Sequence, residues 1–126
     1  MSLRTPLGQV RGLGAAKDGT QHWWLQRLTA IALVPLTIWF VISLLQVFGM
    51  SRPQVAQWIR SPSTAAPMAL FLVAAFWHLK LGLQVVIEDY VHHEGWKFGL
   101  IVAMNLLVVA FAGTGLISIF LLAMRS

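Results

Sequence analysis

Three apolar runs divide the chain: Leu28 to Met50, Ala65 to about Ile87, and Phe98 to Ala123. As a helix, each is long enough to cross the ~30 Å hydrocarbon core of a bilayer. The first run has only Thr29, Thr37, Ser43 and Gln46 as polar side chains, and its Pro35 predicts a kink that a transmembrane helix tolerates. The second opens with the uncharged stretch AAPMALFLVAAFW and then meets His78, Lys80 and Gln84. The third is interrupted only by Asn105, Thr114, Ser118 and several glycines. Ser51 to Thr64, with Arg52, Pro53, Trp58, Arg60 and Pro62, reads as a connection holding a short interfacial helix around Gln54–Ile59. EDYVHHEGWK, residues 88–97, reads as a polar turn. The pattern predicts an all-α membrane protein of three transmembrane helices, with residues 1–27 an N-terminal arm and interfacial anchor and residues 28–126 the transmembrane domain.

Residues 1–21 are glycine-rich and cationic and read as an extended or partly disordered arm on one membrane face. They contain no apolar core of the kind a secretory signal peptide needs. Their basic residues faintly resemble an organelle transit peptide, but retention of this segment favours a bacterial inner membrane over a mitochondrial one. His22-Trp23-Trp24-Leu25-Gln26-Arg27 follows, and paired tryptophans beside a cation mark a membrane–water interface. Lysine and arginine set the orientation. Arg4, Arg11, Lys17, Arg27 and Lys97 fall on one side, and Arg52, Arg60 and Arg125 on the other. This excess predicts a cytoplasmic N-terminus and a periplasmic C-terminus.

Composition agrees with a membrane as solvent. The 126 residues are 58% apolar and only 10% charged, and mean hydropathy is +0.75. The net charge of +5 is then a matter of topology and anionic lipid. No basic stripe interleaved with aromatics points to nucleic acid. There is no cysteine, which excludes disulfides, thiolate-bound iron–sulfur clusters and structural zinc built from this chain. Polar residues within a span face protein or water rather than lipid, so partner chains are expected.

The candidate chemistry is concentrated between His78 and His93. His78 is the only histidine inside a span, and an ionisable residue there is costly enough to suggest function. Three roles fit: axial ligand to haem iron, proton relay, or interhelical hydrogen bond. Gly82, one turn on, leaves room for a flat macrocycle. His78 and Asp89 are eleven residues apart, which places them on one helix face and roughly 16 Å apart along its axis. Asp89-Tyr90 sits at the interfacial end. A phenol donates to a carbonyl oxygen and a carboxylate tunes it or pairs with arginine, which suits a quinone; an interfacial tyrosine beside a solvated acid is the plain alternative. Lys80 lies about 160° from His78, free to snorkel or to pair with Glu88. His92 and His93 read as proton carriers or exposed loop residues. His92-His93-Glu94 lacks the spacing of a metal motif. Gly113-Thr114-Gly115 predicts close helix packing; without the lysine of a phosphate loop it is no nucleotide site.

The pattern His78, Gly82, Gln84, then Asp89-Tyr90-Val91-His92, together with His22 and Arg27-Leu28-Thr29-Ala30 upstream, resembles the hydrophobic membrane anchors of succinate dehydrogenase, respiratory complex II. The likeness spans nearly the whole chain. It implies that His78 is one axial ligand of haem b, the other coming from a companion cytochrome b membrane subunit. It implies that Tyr90 hydrogen-bonds ubiquinone, that Asp89 supports that site through an arginine of the companion, and that His22 and Arg27 lie near the haem propionates or the quinone-site rim. FAD and the iron–sulfur clusters would belong to two soluble partners, a flavoprotein subunit and an iron–sulfur subunit. Glu88 and Lys80 depart from the pattern and alter the charge around both sites.

Three rivals stand beside this reading. One is a fumarate reductase anchor running the chemistry in reverse. Another is a small proton-coupled transporter with His78, Lys80 and Asp89 as relay, which the absence of an inverted repeat weakens. The last is a purely structural anchor with His78 joining helices.

Overall fold

The computed structural model describes residues 14–125, with side chains from Gly19 onward. Four helices follow one another: α1 (Gly14–Val47), α2 (Arg52–Arg60), α3 (Pro62–Tyr90) and α4 (Glu94–Met124). Three of them, counting α1 from Gly19, are long and apolar enough to cross a membrane. With no water in the bilayer core, backbone groups must be satisfied within each segment, and only the helix does this locally. The predicted all-α architecture of three spans is what the chain adopts, with α2 where the interfacial helix was expected.

Two boundaries differ from expectation. The arm was read as extended over residues 1–21; residues 1–13 lie outside the described residues, but from Gly14 the chain is helical. Once the span has nucleated, each further residue adds a hydrogen bond at little cost, so the helix runs out past the hydrophobic stretch. His22, Trp23, Trp24 and Arg27 are therefore helical residues. The turn expected over residues 88–97 shrinks to Val91–His93. Glu88, Asp89 and Tyr90 form the last turn of α3, where the Val91 N–H still donates to Ile87 O at 3.0 Å. His93 is the N-cap of α4, its Nδ1 accepting from the Trp96 N–H at 3.4 Å. Glu94 occupies the first turn, where a negative charge suits the helix dipole. Helix α1 continues through Pro35 without a break, and ends before Gly49, whose φ of 92° is the left-handed conformation favoured just beyond a helix C-terminus.

Helix α3 is the middle element, packed against both α1 and α4. Thr29 meets His78 and Phe40 stacks on Phe71 with centroids 4.6 Å apart. Contacts that ascend α1 thus descend α3, so the two helices are antiparallel. Helices α3 and α4 come close at Gly115, where an added Cβ would lie 2.9 Å from Leu72 Cδ1. Only this glycine of the Gly113-Thr114-Gly115 stretch serves packing; a Cβ on Gly113 would meet nothing within 4 Å. Helix α2 is held at the far end by the Trp39–Trp58 stack, 6.4 Å between centroids.

Among the described residues only Leu81, Met104, Ser43 and Thr64 are buried. The chain has almost no core of its own, so its apolar exterior is left for lipid and neighbouring helices. Two of the polar side chains in α4 are satisfied locally. Thr114 Oγ1 donates to Ala110 O and Ser118 Oγ to Thr114 O, both at 2.7 Å, back-bonding that spares a hydroxyl from facing hydrocarbon alone.

Candidate functional site

The antiparallel packing brings the N-terminal half of α1, the C-terminal half of α3 and the start of α4 to one end of the bundle. The candidate residues His22, Arg27, Asp89, Tyr90, His92 and His93 lie there, while His78, Lys80 and Gly82 sit deeper on α3.

His78 is half-buried on the side of α3 that faces α1. Its Nδ1 lies 3.1 Å from Thr29 Oγ1. The interhelical hydrogen bond considered for this residue therefore exists, but it uses one ring nitrogen and leaves Nε2 for another task. Thr29 was named in the sequence only as a polar residue of the first span and part of Arg27-Leu28-Thr29-Ala30. Its signal is present in hindsight: His22, Gln26 and Thr29 recur at spacings of four and three and so share a face of α1. Gly82 follows His78 by four residues, about 40° around and about 6 Å along the helix. A Cβ on Gly82 would meet no atom within 4 Å. The space beside it is not filled by this chain, as room for a flat macrocycle requires.

His22 is half-buried on the stripe that carries Thr29, about 10 Å nearer the bundle end. Its position suits a contact outward of His78. Arg27 is two residues from Thr29 and so about 200° around α1. Its guanidinium sits over the Trp23 ring, 5.3 Å from the centroid, and Trp23 makes an edge contact with Trp24 at 5.2 Å. Arg27 is exposed and belongs to the interfacial aromatic group rather than to the face that bears His78.

Asp89 and Tyr90 close α3. Tyr90 is 78% exposed and about 18 Å along the axis from His78. No described residue forms a hydrogen bond or ion pair with either side chain. Glu88 does not reach Lys80; its Oε1 accepts from Gln84 Nε2 at 3.0 Å. Lys80 instead sits over the Trp77 ring, 4.9 Å from the centroid. It lines a groove between α3 and α4 with Asn105, whose Oδ1 is buried without a hydrogen-bond partner among the described residues. His78, Lys80 and Asp89 thus point to different surroundings and do not converge as a relay. His93 caps α4, a structural task the sequence reading did not give it.

Among the described residues no group of three or more histidines or carboxylates converges on a point that would hold a metal ion. His78 offers one imidazole toward such a group, and a Cβ on Gly82, one turn on, would meet nothing within 4 Å.

Residues 1–114 match the family described as succinate dehydrogenase/fumarate reductase transmembrane subunit. The succinate dehydrogenase hydrophobic membrane anchor subunit of Rickettsia bellii is 32% identical over 113 residues, covering 86% of this chain and 90% of that protein. The corresponding subunit of Paracoccus denitrificans is 36% identical over 90 residues, 71% of this chain and 70% of that protein. The succinate dehydrogenase membrane anchor subunit of Reclinomonas americana is 36% identical over 81 residues, 62% of this chain and 68% of that protein. No solved structure is significantly similar. With the three spans in place and the match running over nearly all of its length, the chain belongs to the succinate dehydrogenase/fumarate reductase transmembrane subunits, as a hydrophobic membrane anchor.

Proposed function

We propose that the chain anchors a flavoprotein subunit carrying FAD and an iron–sulfur subunit to a bacterial inner membrane, shares haem b with a companion cytochrome b subunit, and helps form the site at which electrons from succinate reduce ubiquinone. The observation that carries this reading is α3. One continuous helix holds a half-buried histidine with open space beside the glycine one turn on, and ends in a carboxylate without a partner among the described residues and an exposed phenol.

Each residue then has a defined task. His78 would hold the haem iron through one ring nitrogen, and the haem, when bound, would supply one-electron storage within the membrane. Gly82 keeps the adjacent helix surface flat. Tyr90 donates a hydrogen bond to a quinone oxygen, and Asp89 holds a guanidinium of the companion or a proton in transit. His22 faces the outer edge of the haem pocket. The unburied apolar faces of α1, α3 and α4 are the surface for the companion's helices and for lipid. The sequence's excess of lysine and arginine on the N-terminal side supports a cytoplasmic N-terminus, with the soluble pair docked there.

The family description includes fumarate reductases. The quinone extracted with the complex separates the two directions, since ubiquinone fits succinate oxidation and a low-potential quinone fits the reverse. The direct test of the proposal is the reduced-minus-oxidised visible spectrum of the purified membrane complex, wild type beside His78→Ala. Loss or displacement of a b-type band in the variant is the expected result. An unchanged band removes His78 as a ligand.

A further inference from the structure

We infer that Thr29 is the positioning residue for His78, fixing through its hydroxyl both the tautomer and the ring orientation that present Nε2 as a metal ligand. The inference rests on the reading of His78 as a haem ligand and deepens it.

The argument is a count of protons. Thr29 Oγ1 has three neighbours within hydrogen-bond distance: Leu25 O at 2.8 Å, Gln26 O at 3.1 Å and His78 Nδ1 at 3.1 Å. The hydroxyl has one hydrogen and two lone pairs. Both carbonyls accept only, and the 2.8 Å separation to Leu25 O is the ordinary length for an O–H···O bond. Thr114 and Ser118 direct their hydroxyl hydrogens the same way, to the carbonyl one turn back. With the hydrogen placed on α1, only lone pairs remain toward α3. The hydrogen of the Thr29–His78 contact must therefore come from the ring, and His78 carries its proton on Nδ1. A neutral imidazole has a single N–H, so Nε2 keeps its lone pair.

The same contact fixes direction. Nδ1 is held against α1, and Nε2 lies on the other side of the ring from its carbon-attached edge. Rotation of the imidazole would break the bond to Thr29 and leave Nδ1–H unpaired in an apolar surrounding, a costly state. A metal-bound histidine generally gives its second N–H to an acceptor, and that acceptor raises the basicity of the ligating nitrogen. Here the acceptor is a neutral hydroxyl contributed by a different helix of the same chain. The packing of α1 on α3 is thereby coupled to the ligand strength of His78.

The test uses the whole complex, purified through a tag on the iron–sulfur partner so that only assembled material is read. Thr29→Val keeps the shape and removes the acceptor; Thr29→Ala is the second hydroxyl-free variant, with less bulk against α3; Thr29→Ser restores the hydroxyl. The readouts are the haem midpoint potential by optical titration, the low-spin EPR signal, and the rate of haem transfer to apomyoglobin. Without the acceptor the ligand is less basic and favours the ferric iron less, so the midpoint rises in Thr29→Val and Thr29→Ala. Haem loss should quicken by about 10–100-fold, the range seen when outer partners of metal ligands are removed. Thr29→Ser should return both values toward wild type, which a purely packing role for the methyl group would not produce. Wild-type potential, EPR and haem retention in either hydroxyl-free variant overturn the inference, provided His78→Ala alters the spectrum. If His78→Ala leaves the b-type spectrum unchanged, the ligand reading itself fails and Thr29 loses this role with it.

Discussion

Gly82 offers the sharpest test of whether the space beside His78 is used. In a helix, glycine is less favourable than alanine by roughly 0.8–1 kcal/mol, because its backbone loses more freedom on folding. A Cβ built on Gly82 meets nothing within 4 Å. Within this chain Gly82→Ala should therefore stabilise α3, by up to about 1 kcal/mol, which is about a fivefold change in an equilibrium constant. Gly82→Leu extends a branched side chain from the same Cβ position, which is clear of the described residues. If a macrocycle occupies the space, the outcome inverts: the helix gains while the cofactor loses its flat seat. The assay pairs haem content per complex, by pyridine haemochrome, with thermal unfolding of the purified complex. Gly82→Leu should show sharply reduced haem, and Gly82→Ala an intermediate content. Full haem in Gly82→Leu would refute the seat at this position. Poor assembly of Gly82→Ala in a haem-free background would instead show that a companion helix, not the cofactor, packs against Gly82.

Other expectations follow from single contacts. Gly115→Val should weaken the α3–α4 pair by about 1 kcal/mol, because its Cβ lands 2.9 Å from Leu72 Cδ1 and the leucine must turn aside; Gly113→Ala, whose Cβ meets nothing within 4 Å, should instead stabilise α4 by up to about 1 kcal/mol in the same unfolding experiment. Tyr90→Phe removes a hydroxyl from an exposed ring without disturbing the end of α3. It should lower succinate:quinone turnover at least tenfold while succinate oxidation by a soluble artificial acceptor is unchanged, and normal quinone turnover counts against the site. Trp39→Leu forfeits the stack on Trp58. It should cost about 0.5–1.5 kcal/mol of stability and leave the haem spectrum untouched, since that stack lies at the opposite end of the bundle.

The sequence by itself determined the number of spans, the class of fold and the residues worth attention. Long apolar runs with few charges have one solution in a bilayer, the helix, because no other local structure satisfies the backbone there. His78, Asp89 and Tyr90 were legible because charge and hydrogen-bonding groups are conspicuous against such a background. Helix ends were not. Residues 88–97 look like a turn by polarity, yet polarity marks where the membrane stops, and the helix continues into the interface for as long as its hydrogen bonds persist. The tertiary structure alone decided which polar groups meet. Thr29 and His78 are 49 residues apart, and no periodicity within either helix reveals that contact; it follows from the antiparallel alignment of α1 on α3 set by the Phe40–Phe71 stack and the packing between the helices. In the same way Gly113 and Gly115 are equivalent in sequence, but only Gly115 faces Leu72. Lys80 was open to snorkelling or to pairing with Glu88, a partner's acid or a haem propionate; within the chain it rests on Trp77, one turn away, while Glu88 is held by Gln84. Local chemistry names the groups; the alignment of helices chooses their partners, because contact across helices depends on rotation and register that neither run encodes alone.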